Sequence, residues 1–150
     1  MKKKIMFVCH GNICRSPMAE FIFKKMTEER DVSHLFEIAS SATSTEEIWN
    51  GIGNPVYPPA REELLSHGID PSGKRAVQLK KSDLNKYDIF ICMDRNNIRN
   101  AERILGSSEK LCLLKDFTCG GDVSDPWYSG DFEGVYRDIE EGCKAILEKY

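Results

Sequence analysis

The sequence predicts an α/β fold: a parallel β-sheet with helices on both faces. Three observations carry this. Short apolar runs alternate with segments of helical period along the chain. One run, Tyr87 to Met93 (YDIFICM), is apolar nearly throughout, as a strand buried on both faces must be. The first run, Ile5 to Val8, feeds through Cys9-His10-Gly11-Asn12-Ile13-Cys14-Arg15-Ser16-Pro17 directly into an amphipathic segment. Strands alternating with helices form right-handed crossovers in a parallel sheet. Ligands then bind beyond the carboxyl ends of the strands, where the Cys9 loop lies.

The first strand ends at Cys9, and the loop curls through Gly11 and Asn12, residues that accept unusual backbone angles. Ser16 as N-cap and Pro17 at the first helical position start a helix to about Glu29, with Met18, Phe21, Ile22 and Met26 as its stripe. Phe36 to Ser40 alternates as a second strand, and Ser41 to Tyr57 is a long irregular stretch of the length usually found in functional loops. Pro58 to His67 reads as a helix stopped by Gly68. After the Tyr87–Met93 strand, Asp94 caps a helix ended by Gly106, and Leu111 to Leu114 is the last strand. Phe117 to Gly130 is loop-like. From Asp131 to Lys149, Phe132, Val135, Tyr136, Ile139, Cys143 and Ile146 line one face of a final helix.

The 150 residues, 41% hydrophobic and 30% charged, fit one domain over residues 1–150. A net charge of −3 with no basic stripe argues against nucleic acid, and no apolar run is long enough for a membrane span or a signal peptide. A cytoplasmic protein is expected. Its six cysteines, irregularly spaced, are then reduced thiols, with Cys92, Cys112 and Cys143 as small core hydrophobes.

A cysteine and an arginine separated by five residues can address one phosphorus if the backbone between them forms a ring of inward N–H donors. The helix N-terminus favours both the oxyanion and the thiolate of Cys9, while Arg15 offers two parallel donors. Ser16 Oγ can donate to the thiolate. In-line attack by Cys9 gives a phosphocysteine, and expelling a phenolate or alkoxide needs an acid, for which Asp125 in Asp125-Pro126-Trp127-Tyr128 is the candidate. Trp127 and Tyr128 wall a pocket deep enough for an aryl ring, and Trp49 is a further candidate for its border. Cys9, His10 and Cys14 lack a convergent second pair for zinc, and no Gly-Lys-Ser/Thr ending supports a nucleotide loop.

CHGNICRSP at Cys9 to Pro17, followed by DPWY at Asp125 to Tyr128, closely resembles the low-molecular-weight protein tyrosine phosphatases. SATS from Ser41, GNP at Gly53 to Pro55, HGI at His67 to Ile69, CMD at Cys92 to Asp94 and DFE at Asp131 to Glu133 follow in family order, so the likeness covers nearly the whole chain. The resemblance implies a four-stranded parallel sheet in order 2-1-3-4, no metal or cofactor, and action on phosphotyrosine-containing proteins with inorganic phosphate as product. It implies Cys9 as nucleophile, Arg15 as phosphate clamp and Asp125 as general acid, with His10, Gly11, Asn12, Ile13, Cys14 and Ser16 as the phosphate-binding loop. Asn12, Ser16, Ser40 and His67 are implied as the network shaping that loop, and Cys14 as the thiol that forms a reversible disulfide with Cys9. Two features depart from the family pattern: Thr45 to Gly53 is longer, and Trp127 stands where tyrosine is common. The alternatives are an arsenate reductase of similar fold, which needs two further cysteines in relay, and a non-catalytic phosphotyrosine-binding module, which needs neither Cys9 nor Asp125.

Overall fold

The computed structural model describes residues 2–150. Its central sheet comprises β1 (Lys3–Cys9), β2 (Phe36–Ala42), β5 (Ile89–Cys92) and β6 (Leu111–Leu113), all parallel, in the order β2-β1-β5-β6. Counting only these strands, this is the expected 2-1-3-4. The remaining elements are α1 (Arg15–Glu29), a small antiparallel hairpin β3 (Ile48–Trp49) and β4 (Ile52–Gly53), α2 (Pro58–Ser66), α3 (Arg95–Leu105), α4 (Pro126–Ser129) and α5 (Phe132–Lys149). No helix among the described residues is long and apolar enough to cross a membrane.

Side chains alternate across a strand, so each strand feeds two cores. Ile5, Phe7, Cys9 and Ile91 face α1, α2 and α5, packing on Met18, Ile22, Phe23, Leu64, Ile139 and Ile146. Met6, Val8, Phe90 and Cys92 face the other way, onto Ala101 and Leu105 of α3 and onto Leu79. Both faces of β1 and β5 are thereby buried, which explains their near-continuous apolar sequence. Phe23 joins strand to helix by edge-to-face contacts with Phe7 at 6.0 Å and Phe36 at 5.2 Å.

Three local expectations are corrected. Cys14, not Ser16, takes the cap position of α1, without a side-chain bond, because the Ser16 hydroxyl is engaged inside the loop instead. The stretch Ser41 to Tyr57 carries the rest of β2 and the β3–β4 hairpin, whose Asn50 and Gly51 both have positive φ, as a tight reversal needs. Residues 117–130 include the short helix α4, capped by Asp125, whose side chain accepts from Trp127 N.

Gly142 on α5 sits against fully buried Leu114, and an added Cβ would lie 2.6 Å from Leu114 Cγ. Gly142→Ala therefore sets a helix-propensity gain of about 1 kcal/mol against overpacking of about 1–3 kcal/mol. The clash is with the branch point of a fully buried side chain, which cannot swing into solvent, so a net loss in the urea midpoint is expected. A gain would show that the α5–Leu114 contact yields.

Candidate active site

The loop from Cys9 to Arg15 joins the carboxyl end of β1 to the N-terminus of α1. Asn12, with φ of 60°, makes its only left-handed turn, a conformation asparagine tolerates. Gly11 does not share that angle. A Cβ there would stand 3.2 Å from Glu47 Cγ, a tight contact that the Glu47 side chain would have to relieve. Among the described residues, the N–H groups of Gly11, Ile13 and Cys14 find no protein acceptor, whereas Asn12 N donates to Cys9 Sγ at 3.3 Å. Free donors in a loop that leads into a helix N-terminus are what an anion-binding nest requires.

Cys9 Sγ lies 2.9 Å from Ser16 Oγ. Asn12 Nδ2 donates to both Ser16 Oγ (2.7 Å) and Ser40 Oγ (2.9 Å), while its Oδ1 accepts from Val77 N at 3.0 Å. Ser40 Oγ donates onward to Glu20 Oε1. Asn12, Ser16 and Ser40 thus form the expected network, but His67 does not join it. The His67 ring stacks on Tyr136 at 3.7 Å and pairs with Glu63 at 2.9 Å, because it caps the far end of α2 rather than facing the loop. The network is completed instead by Glu20 and Lys74, whose ammonium donates to Ser40 O at 3.1 Å and sits 3.5 Å from Glu20. Burial lowers the Lys74 pKa, and the neighbouring Glu20 carboxylate opposes that. Glu20→Ala leaves this half-buried ammonium without its carboxylate partner, and a loss of about 2 kcal/mol in urea unfolding is expected. Partial recovery by adding Lys74→Met would assign the loss to the stranded charge, and no loss would remove the pair from a structural role.

Arg15 is buried in the floor of the site. Its Nη1 donates to Asp94 Oδ2 and to Val123 O, each at 2.8 Å, and its Nη2 lies 3.8 Å from Asp125 Oδ2. Burial works against the charge, but the Cys9 sulfur and the Asp94 and Asp125 carboxylates more than offset it, so the Arg15 pKa is raised. Asp94 divides its oxygens: Oδ1 accepts from Asn97 N to cap α3, and Oδ2 aims the guanidinium. The sequence marks only the first of these tasks, since a helix cap is a local pattern and the Arg15 contact joins residues 79 apart.

Cys9 through Arg15 line a cavity of about 260 Å³, closed by Glu46, Glu47, Asp125, Trp127 and Tyr128. Trp127 packs on Tyr57 at 4.9 Å, and Tyr57 N donates to Ile13 O at 2.9 Å, so one aromatic ties the Asp125 segment to the loop. His10 reaches outward to Glu46 at 3.0 Å. Trp49 is not a wall. It stands on the β3–β4 hairpin, 80% exposed, and Glu46 and Glu47 hold that side of the cavity.

A family model described as low molecular weight phosphotyrosine protein phosphatase matches residues 4–150. The chain belongs to this family of cysteine-dependent phosphatases. A low molecular weight phosphotyrosine protein phosphatase of Sus scrofa is 39% identical over 156 residues, covering 98% of this chain and 95% of that protein. The low molecular weight protein-tyrosine-phosphatase YfkJ of Bacillus subtilis is 35% identical over 148 residues, with 95% and 92% covered. The YfkJ crystal structure superposes with a TM-score of 0.92 at 33% identity, covering 99% of this chain and 94% of that one. Wzb of Vibrio vulnificus, solved in complex with benzylphosphonate, superposes with a TM-score of 0.87 at 25% identity over the full length of both chains. The β2-β1-β5-β6 sheet is thus the phosphatase fold, and the chain is a low molecular weight protein tyrosine phosphatase.

Proposed function

We propose that this phosphatase hydrolyses phosphotyrosine and small aryl phosphates through a phosphocysteine, without metal or cofactor. The observation that carries the reading is the convergence of the Cys9 sulfur, the Arg15 guanidinium and the Asp125 carboxylate on one cavity with free loop donors. Cys9 Sγ attacks phosphorus in line, a P–S bond forms, and the ester P–O bond breaks. The developing charge is shared among the loop N–H groups and Arg15. Asp125, protonated, passes its proton to the departing phenolate oxygen. The same group, now a carboxylate, takes a proton from the water that attacks the phosphocysteine, and phosphate leaves as the thiolate is restored. Ser16 Oγ, at 2.9 Å, donates to that thiolate and makes it a better leaving group. Trp127 and Tyr128 flank the aryl ring. Cys92 supports this reading over arsenate reduction: in register with Val8, it faces the α3 core, on the side of β1 opposite Cys9. The benzylphosphonate bound by Wzb is consistent with an aryl substrate.

The deciding experiment is release of phosphate from phosphotyrosine and phosphoserine peptides with chelator and thiol present. Selective turnover of phosphotyrosine is expected; equal turnover, or loss of activity to the chelator, would overturn the mechanism.

Cys14 is the proposed redox partner. Burial, and then the Cys9 charge, push its thiol up to about 12. After peroxide converts Cys9 to the sulfenic acid, Cys14 sulfur attacks it, a disulfide forms and water leaves. Only the thiolate attacks well, so closure should accelerate about tenfold per pH unit through the neutral range. Thiol should restore oxidised wild type and restore Cys14→Ser less completely. Equal recovery, or a pH-independent closure rate, would remove Cys14 from this role.

A further inference from the structure

We propose that the exposed face of α3 is a docking track for an acidic, extended segment of the phosphoprotein substrate, outside the pocket that receives its phosphotyrosine. This rests on the phosphatase reading above. Arg95, Arg99 and Arg103 recur every four residues on α3 and are all exposed, while Asn97, Ala101 and Leu105 bury the opposite side. At 1.5 Å rise per residue the three side chains leave the helix about 6 Å apart, in single file. Lys81 extends the file, since its Cε lies 3.9 Å from the position of a Cβ at Gly106, just past the end of α3.

These charges are left largely unmatched. Arg99 donates to Asn96 Oδ1 and Arg103 to Asn100 Oδ1 (3.2 Å), amide acceptors that hold the guanidinium without neutralising it. Among the described residues, no ion pair involves Arg99, Arg103 or Lys81; Arg95 alone meets a carboxylate, Asp122, at 4.0 Å. Glu102 flanks the file on one side. In a chain of net charge −3, this is a local field opposite in sign to the whole.

Its position ties it to the site. Asp94, directly before Arg95, aims Arg15, and Asp122 accepts from Arg95 N at 3.2 Å just ahead of Val123 and Asp125. The file begins beside the segment that carries the Arg15 acceptor and the general acid, and runs about 12 Å away along the flank. An extended polypeptide presents alternate side chains on one side about 6.6 Å apart, close to the arginine repeat. Asp or Glu at alternate positions would meet successive guanidiniums, each with donors to spare. A single file with Glu102 at its edge suits a chain better than a lipid surface, which rewards a broad cluster of basic residues.

The test compares two phosphotyrosine peptides, one carrying a Glu-x-Glu-x-Glu tract and one with Gln at those positions, the tract placed on either side of the phosphotyrosine. For wild type, kcat/KM should favour an acidic peptide about tenfold at low salt and lose that preference near 0.5 M salt. In Arg99→Glu/Arg103→Glu the preference should vanish, while kcat/KM for p-nitrophenyl phosphate stays unchanged. Binding of the same peptides to Cys9→Ser, read by titration, should show the same dependence, and it tests the track even if turnover fails. Equal affinity for both peptides would overturn the proposal, as would a preference that survives the double variant. So would loss, in the double variant, of binding to phosphatidylserine vesicles when both peptides are handled alike, since that assigns the file to a membrane. Failure to turn over p-nitrophenyl phosphate in wild type would count against the phosphatase mechanism and not against the track.

Discussion

Cys9→Ser is expected to lower phosphotyrosine turnover by on the order of 10⁵-fold while phosphate or vanadate still binds. The separation follows from where the two capacities reside. In the proposed mechanism binding rests on the free N–H groups of Gly11, Ile13 and Cys14 and on Arg15, held in place by Asp94 and Val123; a hydroxyl at position 9 disturbs none of these. Turnover, in the same mechanism, rests on a sulfur that ionises far more readily than a serine hydroxyl and that sits 2.9 Å from Ser16 Oγ. Phosphate release and isothermal titration on the same sample read the two terms. Turnover within about tenfold of wild type would exclude a covalent route through Cys9.

Asp125→Asn is expected to slow phosphotyrosine hydrolysis by about 10²- to 10³-fold, and p-nitrophenyl phosphate hydrolysis much less. The amide keeps the cap to Trp127 N, an acceptor role its oxygen can still fill, so the α4 turn and the Tyr57–Trp127 contact should persist. What it cannot do is give up a proton. The loss should therefore scale with the basicity of the leaving phenolate, being greatest for tyrosine and least for a phenol acidic enough to depart unaided. A series of aryl phosphates measures this directly, and equal losses across the series would assign Asp125 a positioning role.

Much of the site was legible because its parts are local. Cys9, the loop and Arg15 lie within one turn between a strand and a helix, and the chemistry demands those residue types at that spacing. Asp125 was legible for a similar reason, through the cap, proline and aromatics that follow it. The misreadings concern residues whose partners are distant in sequence. His67 and Lys74 lie seven positions apart in the segment after α2, and nothing local says which of them turns toward Ser40. The chain brings Lys74 there, where it meets Glu20, and leaves His67 to stack on Tyr136. Trp49 failed differently: a tryptophan in a loop near a pocket suggests a wall, but the Asn50–Gly51 reversal carries it outward on a hairpin.

The order of strands and helices, the burial of β1 and β5 on both faces, and the loop at the carboxyl end of the sheet with Cys9 at its start were determined by the sequence alone. Periodicity and spacing along the chain are enough for these, since each arises within a single element or at its junction with the next. Tertiary structure alone decided which carboxylate aims Arg15, which charged pair completes the network behind Asn12, and that Glu46 and Glu47 rather than Trp49 line the cavity. Those contacts form only when α1, α3 and the segments after β2 and α2 pack against the sheet, and burial then makes each partner matter, because a charge removed from water must find its counterpart in space.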